Sequence, residues 1–542
     1  MKKRIVWALA AVCLCVSLLL TGCGGAGKTP STAATTKGGT ADTTAAGDTT
    51  AGDDTGTTAG DTTGDATDPS GDTPADTTAN HNKTTPSKAT TAQPTAKPTT
   101  GSTGVIDIID KYTTDNLPKK DLNKFVLKVA TTDKQLIKNL GDDKPGSIPL
   151  KRYDVLAEIE KRFNCTVQPV YYEYGKTAER YSAMILSGAS ASVPHVILTT
   201  TWEAGNLIGA NLLTTFDQLK YVDTKAPWWN ESMATAGKVK GKNYLMTNEL
   251  CRVSTRAWGV AYNKAIAKEI GLTEATLSSL VKNKQWTWDK FEEYAKKAVK
   301  DLNGDGKFDD KDRWGFSSPR TDFIYAMMAA ADIDYIETVG GKLTYGLGSD
   351  KAITALEKLN QITSGGSIRY PVENNTDQHN AFPDGKTLFF VYTYGGMLNN
   401  IRENGDMGLL PMPLGPGVTE YRSLVDHNSP VVMIPKTNKN LEQTGLLLEA
   451  MAFAYWKNLP WMVDEYTDLY LDEGDALSAA TLTAMFDRAV ITPSQYMDTA
   501  AFLKACKVPI LDAMSTPNED ISGVVASIKN ASQAVIDSFF GQ

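Results

Sequence analysis

Only 4 histidines occur among the 542 residues, and no His-Glu-x-x-His, Gly-x-Ser-x-Gly, phosphate loop or glycine-rich dinucleotide turn accompanies them. The usual devices of metal hydrolysis, acyl transfer and nucleotide chemistry are therefore missing. Paired carboxylates are the one catalytic device left open, because their separation is a three-dimensional quantity. Basic excess is absent as well: 55 Lys and Arg face 63 Asp and Glu, a net charge of −8, which argues against a nucleic-acid surface. Cysteine is scarce. Setting aside Cys13, Cys15 and Cys23 near the start leaves Cys165, Cys251 and Cys506, widely separated. An odd trio without paired spacing is neither a disulfide framework nor a zinc site, and buried small hydrophobes are the expected role. No internal repeat is visible. The one long apolar run, Ile5 to Leu20, is shorter than the ~20 residues a membrane-spanning helix needs.

That run follows Met1-Lys2-Lys3-Arg4 and leads into Leu20-Thr21-Gly22-Cys23, the plan of an export signal with small residues before a cysteine. It resembles the signal of bacterial lipoproteins. The resemblance implies that residues 1–22 are removed, that diacylglycerol is carried on the Cys23 thiol, and that the protein faces outside, anchored to the membrane. From Gly24 to about Pro118 nearly every residue is Thr, Asp, Ala, Gly, Ser, Pro or Lys. Such a segment buries too little to offset its ordering entropy, so residues 23–120 read as a disordered tether. As a coil of about 95 residues it reaches about 50–60 Å, which suits passage through a thick wall.

Beyond residue 120 the pattern is that of an α/β chain. Phe125 to Ala130 reads as a buried strand, Tyr153 to Phe163 as a helix and Thr166 to Tyr172 as a second strand. Thr177 to Leu186, stopped by Gly188, is a helix, and Pro194 to Leu198 a third strand. Alternation of this kind implies parallel pairing, with ligands at the carboxyl ends of the strands.

These residues resemble the extracellular solute-binding proteins of ABC importers, in the cluster that takes mainly sugars and oligosaccharides. The resemblance is carried by the order of fragments: Leu186-Ser187-Gly188, Pro194-His195-Val196-Ile197, Gly209 to Asp217, Val260-Ala261-Tyr262-Asn263-Lys264, Trp286 to Phe291, Phe382-Pro383-Asp384-Gly385-Lys386, Gly408 to Pro413 and Val431 to Pro435. His195 departs from it, since an Asp usually follows that proline. The resemblance implies a two-lobe periplasmic-binding-protein-like fold of type II, with the ligand trapped between lobes joined by crossing strands. Crossings are expected near 258–263, 428–435 and 458–474, with one lobe at 124–257 and 429–458 and the other at 264–426 and 474–542. It further implies a monomer that performs no chemistry and partners an ABC permease. An adhesin or wall-polysaccharide binder on the same fold, and a receptor for peptides or other solutes, are the alternatives.

Two groups of residues carry the expected chemistry. Asp301 to Asp312 fits an EF-hand calcium loop, with Asp301, Asn303, Asp305, Asp309 and Asp312 as oxygen donors, the Lys307 carbonyl as another, and Gly306 at the sharp turn. Its last donor is Asp instead of Glu, and Arg313 onward looks like a strand, so a structural Ca²⁺ is expected and no organic cofactor. The second group is aromatic and acidic. Sugar rings stack on indole and phenol while their hydroxyls seek carboxylates. Trp202, Trp229, Trp258, Tyr392 and Tyr394 are the stacking candidates, and Glu173, Glu203, Asp322 and Asp426 the hydroxyl partners. At such positions a single aromatic packs a core as readily as it lines a cleft.

Overall fold

The computed structural model describes residues 108–541, apart from 142–143, 189–191, 366–367 and 401–405. The expected export signal, the expected lipid-bearing Cys23 and the expected tether up to residue 107 lie outside the described residues. Residues 108–120, expected in the tether, make specific contacts with the folded body. Ile109 is buried, and its carbonyl accepts the Lys457 ammonium at 2.9 Å. Tyr112 sets its ring edge-on to Trp228 and Trp456, 5.7 and 5.6 Å between centroids. Asp115 pairs with Arg162. Residues 108–120 therefore belong to the folded body: burying a ring such as Tyr112 is worth about 2 kcal/mol, enough to hold an otherwise polar segment.

Along the chain run β1 (Phe125–Thr131), α1 (Ser147–Phe163), β2 (Cys165–Tyr171), α2 (Thr177–Leu186), β3 (Val196–Thr200), α3 (Thr201–Gly209) and β4 (Leu213–Thr214). Then come β5 (Trp258–Asn263), α4 (Trp288–Ala298), β6 (Trp314–Ser317), α5 (Arg320–Ala330), β7 (Thr387–Thr393), β8 (Met407–Leu410) and β9 (Pro430–Pro435). The end is helical: α6 (Leu441–Lys457), α7 (Leu459–Tyr470), α8 (Ala476–Arg488) and α9 (Ile521–Phe540).

Two sheets organise these elements. The first has the order β2-β1-β3-β9-β4, parallel through β2, β1 and β3, with β9 antiparallel to β3. The second has the order β8-β5-β7-β6. The parallel pairing expected of the first three strands is present, whereas the second sheet is mixed: β5 is antiparallel to both its neighbours, while β6 and β7 run parallel. The β5 and β9 strands also lie wholly within their own sheets, so the crossings fall a few residues before each of them. There Ala257 bridges Val425 antiparallel, and the Asp426 N–H donates to the Arg256 carbonyl at 2.8 Å. The third connection is α7, within 458–474. Residues 489–497, placed with the second lobe by the sequence, run instead along the first: Asn230 Nδ2 reaches the Ala489 carbonyl, and the Tyr496 hydroxyl donates to the Ala236 carbonyl. Gly205 is the close approach that permits this, because a Cβ there would collide with the Tyr496 carbonyl.

The core of the first lobe contains a buried acid. Glu449 on α6 accepts Trp228 Nε1 and Trp229 Nε1, each at 2.8 Å. Burial pushes its carboxyl up to about 7 against these donors, which favour the ionised form. A folded-state value above the ordinary 4.5 means that folding is favoured most below pH 4.5, and that this contribution fades as pH rises through about 7. Glu449→Gln should accordingly flatten the fall in melting temperature between pH 5 and 8, read by thermal denaturation; an unchanged slope would place the titrating group elsewhere.

Candidate functional site

The carboxyl ends of β2 and β3 face the crossing segments, and the chain places an aromatic pair there. Trp202 sits in the first turn of α3, half-buried, and Tyr174 follows β2 by three residues. Their rings meet edge to face with centroids 6.1 Å apart. Gly175, at φ +72°, carries the backbone between them in the left-handed region that a side chain rarely adopts. Asn428 in the second crossing binds both rings' polar atoms: Oδ1 accepts Trp202 Nε1 at 3.3 Å and the Tyr174 hydroxyl. The start of α3 is tied to the same crossing, since the Thr201 N–H and hydroxyl donate to the His427 carbonyl at 3.1 and 2.6 Å.

From the other lobe, Asp322 in the first turn of α5 approaches His427, with Oδ1 at 3.5 Å from Nδ1, and Asp426 Oδ1 lies at the same distance. The His427 ring retains a quarter of its side-chain exposure. Behind it Tyr325 lies edge-on, and Lys507 stands 5.0 Å above the Tyr325 ring while pairing with Asp498. Burial works against a charge on His427, yet Asp322, Asp426 and Asp498 hold its pKa above the ordinary 6.5, with Lys507 opposing them. Residues 427 and 428 thus join an aromatic pair of one lobe to a carboxylate of the other.

The predicted residues divide. Trp202 and Asp322 reach this junction, and Asp426 underlies it, buried, with Asn428 N–H on Oδ1 at 3.0 Å and Arg256 at 3.9 Å. Glu173 is exposed in the loop after β2. Trp258 and Tyr392 touch each other edge to face at 5.4 Å, both almost fully buried on the second sheet, with His379 against Tyr392. Three expectations are corrected. Trp229 belongs to the first lobe's core, fixed by Glu449. Glu203 is 1% exposed and spends its oxygens on the Thr177 and Ala178 amides and the Thr199 hydroxyl, so it fastens the start of α2. Tyr394 lies beneath β5 over Gly259, and its hydroxyl donates to the Leu410 carbonyl at 3.1 Å. Tyr174, His427 and Asn428 were missed; the signal that could have found them was position, immediately after one strand and before another. His195 serves a strand edge, with Nδ1 accepting the Lys128 N–H at 2.9 Å. Cys165, Cys251 and Cys506 are buried free thiols.

The acidic loop folds as a run of tight turns. Asp301 accepts the Gly304 and Gly306 N–H groups at 2.6 and 2.9 Å, and Asn303, Asp305 and Asp309 each accept the N–H two residues on, from Asp305, Lys307 and Lys311. Asp312 closes the loop by accepting Leu302 and Asp309. Among the described residues no group of three or more His, Cys, Asp or Glu side chains is gathered as a metal cage.

Comparison with known proteins agrees with this architecture. Residues 154–460, more than half of the chain, match the family of bacterial extracellular solute-binding proteins. The chain belongs to that family. It is accordingly a solute-binding protein rather than an enzyme, of extracellular or periplasmic placement. Among solved structures, UspC of M. tuberculosis superposes with TM-score 0.51 at 14% identity, covering 76% of this chain and 100% of that one. The galacto-N-biose/lacto-N-biose I-binding protein of a Bifidobacterium longum ABC transporter, in complex with lacto-N-biose, gives 0.50 at 14%, covering 78% and 98%. A cyclo/maltodextrin-binding protein complexed with maltotetraose gives 0.50 at 15%, covering 77% and 96%. At these identities the likeness is one of fold, the two-lobe type II binding protein. No curated protein sequence matches. Among the described residues no helix is long and apolar enough to cross a membrane.

A raised folded-state pKa fixes the sign of the His427 effect: its charged ring stabilises the junction fully below about pH 6.5, and that contribution is lost as pH rises through the higher folded value. The melting temperature of His427→Asn relative to the parent should therefore be lowest near pH 5.5 and recover by pH 9; a pH-independent difference would mean that the ring acts only by packing.

Proposed function

We propose that this protein captures a carbohydrate between its lobes and delivers it to an ABC permease, held to the outer face of the membrane by lipid on Cys23. The observation that carries the reading is the Tyr174–Trp202 pair beside Asn428. A half-exposed indole, with a second aromatic edge-on and an amide within reach, suits the apolar face and hydroxyl rim of a pyranose. Asp322, on the opposite lobe, supplies an acceptor for hydroxyls that close upon it, and Asp426 with Arg256 makes a rigid base for the crossing. Closure then follows from differential affinity: a ligand that touches both lobes stabilises the state in which they meet.

Thermal-shift screening of the full chain against mono- and oligosaccharides, amino acids and peptides tests the solute class, since bound ligand raises the melting temperature with its concentration. One glycan series should respond. Trp202→Ala should weaken that glycan about tenfold or more, some 1.4 kcal/mol, with little change in stability; an unaltered affinity would remove this indole as the stacking surface. A peptide response with a silent sugar panel would replace carbohydrate as the solute.

The loop from Asp301 to Asp312 is proposed to hold a structural Ca²⁺ through Asp301, Asn303, Asp305, the Lys307 carbonyl, Asp309 and Asp312. The support is its spacing of hard oxygen donors and the left-handed glycines at 304 and 306, which form the sharp turns such a loop needs. Chelation should lower the melting temperature, and Asp305→Ala should reproduce the loss and abolish the response to chelator. A melting curve indifferent to both would leave a metal-free turn.

A further inference from the structure

A second concavity opens on the first lobe, at the end of its sheet away from the crossings. The β9 strand starts beside Thr200 at the junction and ends beside Leu213, so the residues that follow it lie at the far edge. There a pocket of about 460 Å³ is lined by Lys242, Lys436 and Lys439, with Asn211, Gln218 and Tyr244 among its other walls, and no acidic side chain lines it. In a chain with an excess of acid this is an unusual concentration of one sign. Among the described residues none of the three lysines forms an ion pair. Two acids adjoin wall residues in sequence, Asp217 beside Gln218 and Glu442 beside Leu441, and Glu442 is engaged by Lys120, Lys220 and the Tyr221 hydroxyl.

Two further features make this a built site. Asn438, 7% exposed, also lines the pocket and holds its loop rigid: Nδ2 donates to the His195 carbonyl at 3.0 Å and to the Thr444 hydroxyl at 2.9 Å, while Oδ1 accepts the Asn440 N–H at 2.8 Å. The 17-residue α6 begins at Leu441, another wall residue, and its N-cap Asn440 gives no side-chain acceptor to the first turn. The positive end of the helix dipole therefore adds to the three ammonium groups. Like charges brought together around one preorganised hollow repel until an anion joins them.

The geometry points to a second binding site here, for a phosphate ester of a small polyol or sugar. Compact ammonium groups serve a tetrahedral, doubly charged anion, whereas flat carboxylates are matched best by arginine forks, and no arginine lines this pocket. The volume exceeds that of a bare phosphate, and the amides of Asn211 and Gln218 with the Tyr244 ring suit a hydroxylated remainder. Two sources share this chemistry: a soluble sugar or glycerol phosphate, and the phosphoglycerol headgroup of an anionic lipid.

Calorimetric titration of the full chain with glucose 6-phosphate, glycerol phosphate, inorganic phosphate and, as control, glucose separates the soluble source from co-sedimentation with phosphatidylglycerol vesicles, compared with phosphatidylcholine. The expected result is binding of an ester or of the anionic vesicles that weakens at least tenfold in the Lys436→Gln/Lys439→Gln double variant and falls with salt, as ion pairing requires. Lys282→Gln, an exposed change at the end of the helix Glu274–Lys282 on the other lobe, should leave it intact, as should Trp202→Ala in the cleft. The proposal is overturned by silence with every phosphate probe, by equal loss in Lys282→Gln, or by loss in Trp202→Ala. Because the pocket and the cleft are probed by different variants, failure of one reading leaves the other standing.

Discussion

The fold hangs on one short antiparallel contact. Ala257 against Val425, with the Asp426 N–H on the Arg256 carbonyl, is where two of the three connections between the sheets lie side by side. Backbone pairing there holds the two connecting segments in register with each other. Residues on its flanks inherit that geometry. His427 and Asn428 are fixed by their place in the crossing, and through them an indole on one lobe and a carboxylate on the other come to share a boundary.

Charge at that boundary is arranged with economy. Asp426 is buried and already engaged by backbone N–H and Arg256, so it sets the field more than it offers an acceptor. Asp322 and the His427 ring are the partly open members. A buried charge without a partner is costly, which is why Lys507 and Asp498 are paired behind them. The far edge of the first lobe does the opposite. Its three lysines stand together without carboxylates, a pattern that folding alone does not require.

Local order was largely legible. Helix α2 spans Thr177–Leu186 as its spacing implies, and β1, β2 and β3 lie within two residues of their sequence patterns, because period and flanking turns are local properties. The segment 108–120 was misread since its polar composition hides two anchors, Ile109 and Tyr112, whose worth depends on Trp228 and Trp456 far along the chain. Trp229 and Glu203 were misassigned for a related reason. An aromatic or an acid after a strand has two fates, cleft or core, and the deciding partners, Glu449 for one and the α2 amides for the other, are more than twenty residues away in sequence.

The sequence by itself determined the family, the alternation of strands and helices, and the oxygen-rich loop at 301–312, all of which follow from residue type and near-neighbour spacing. Only the tertiary structure decided where the lobes cross, which tryptophan faces outward, that Tyr174 and Asn428 complete its surroundings, and that Lys242, Lys436 and Lys439 gather round one hollow. Those are outcomes of long-range packing and of charges meeting across distant segments, and no local pattern encodes them.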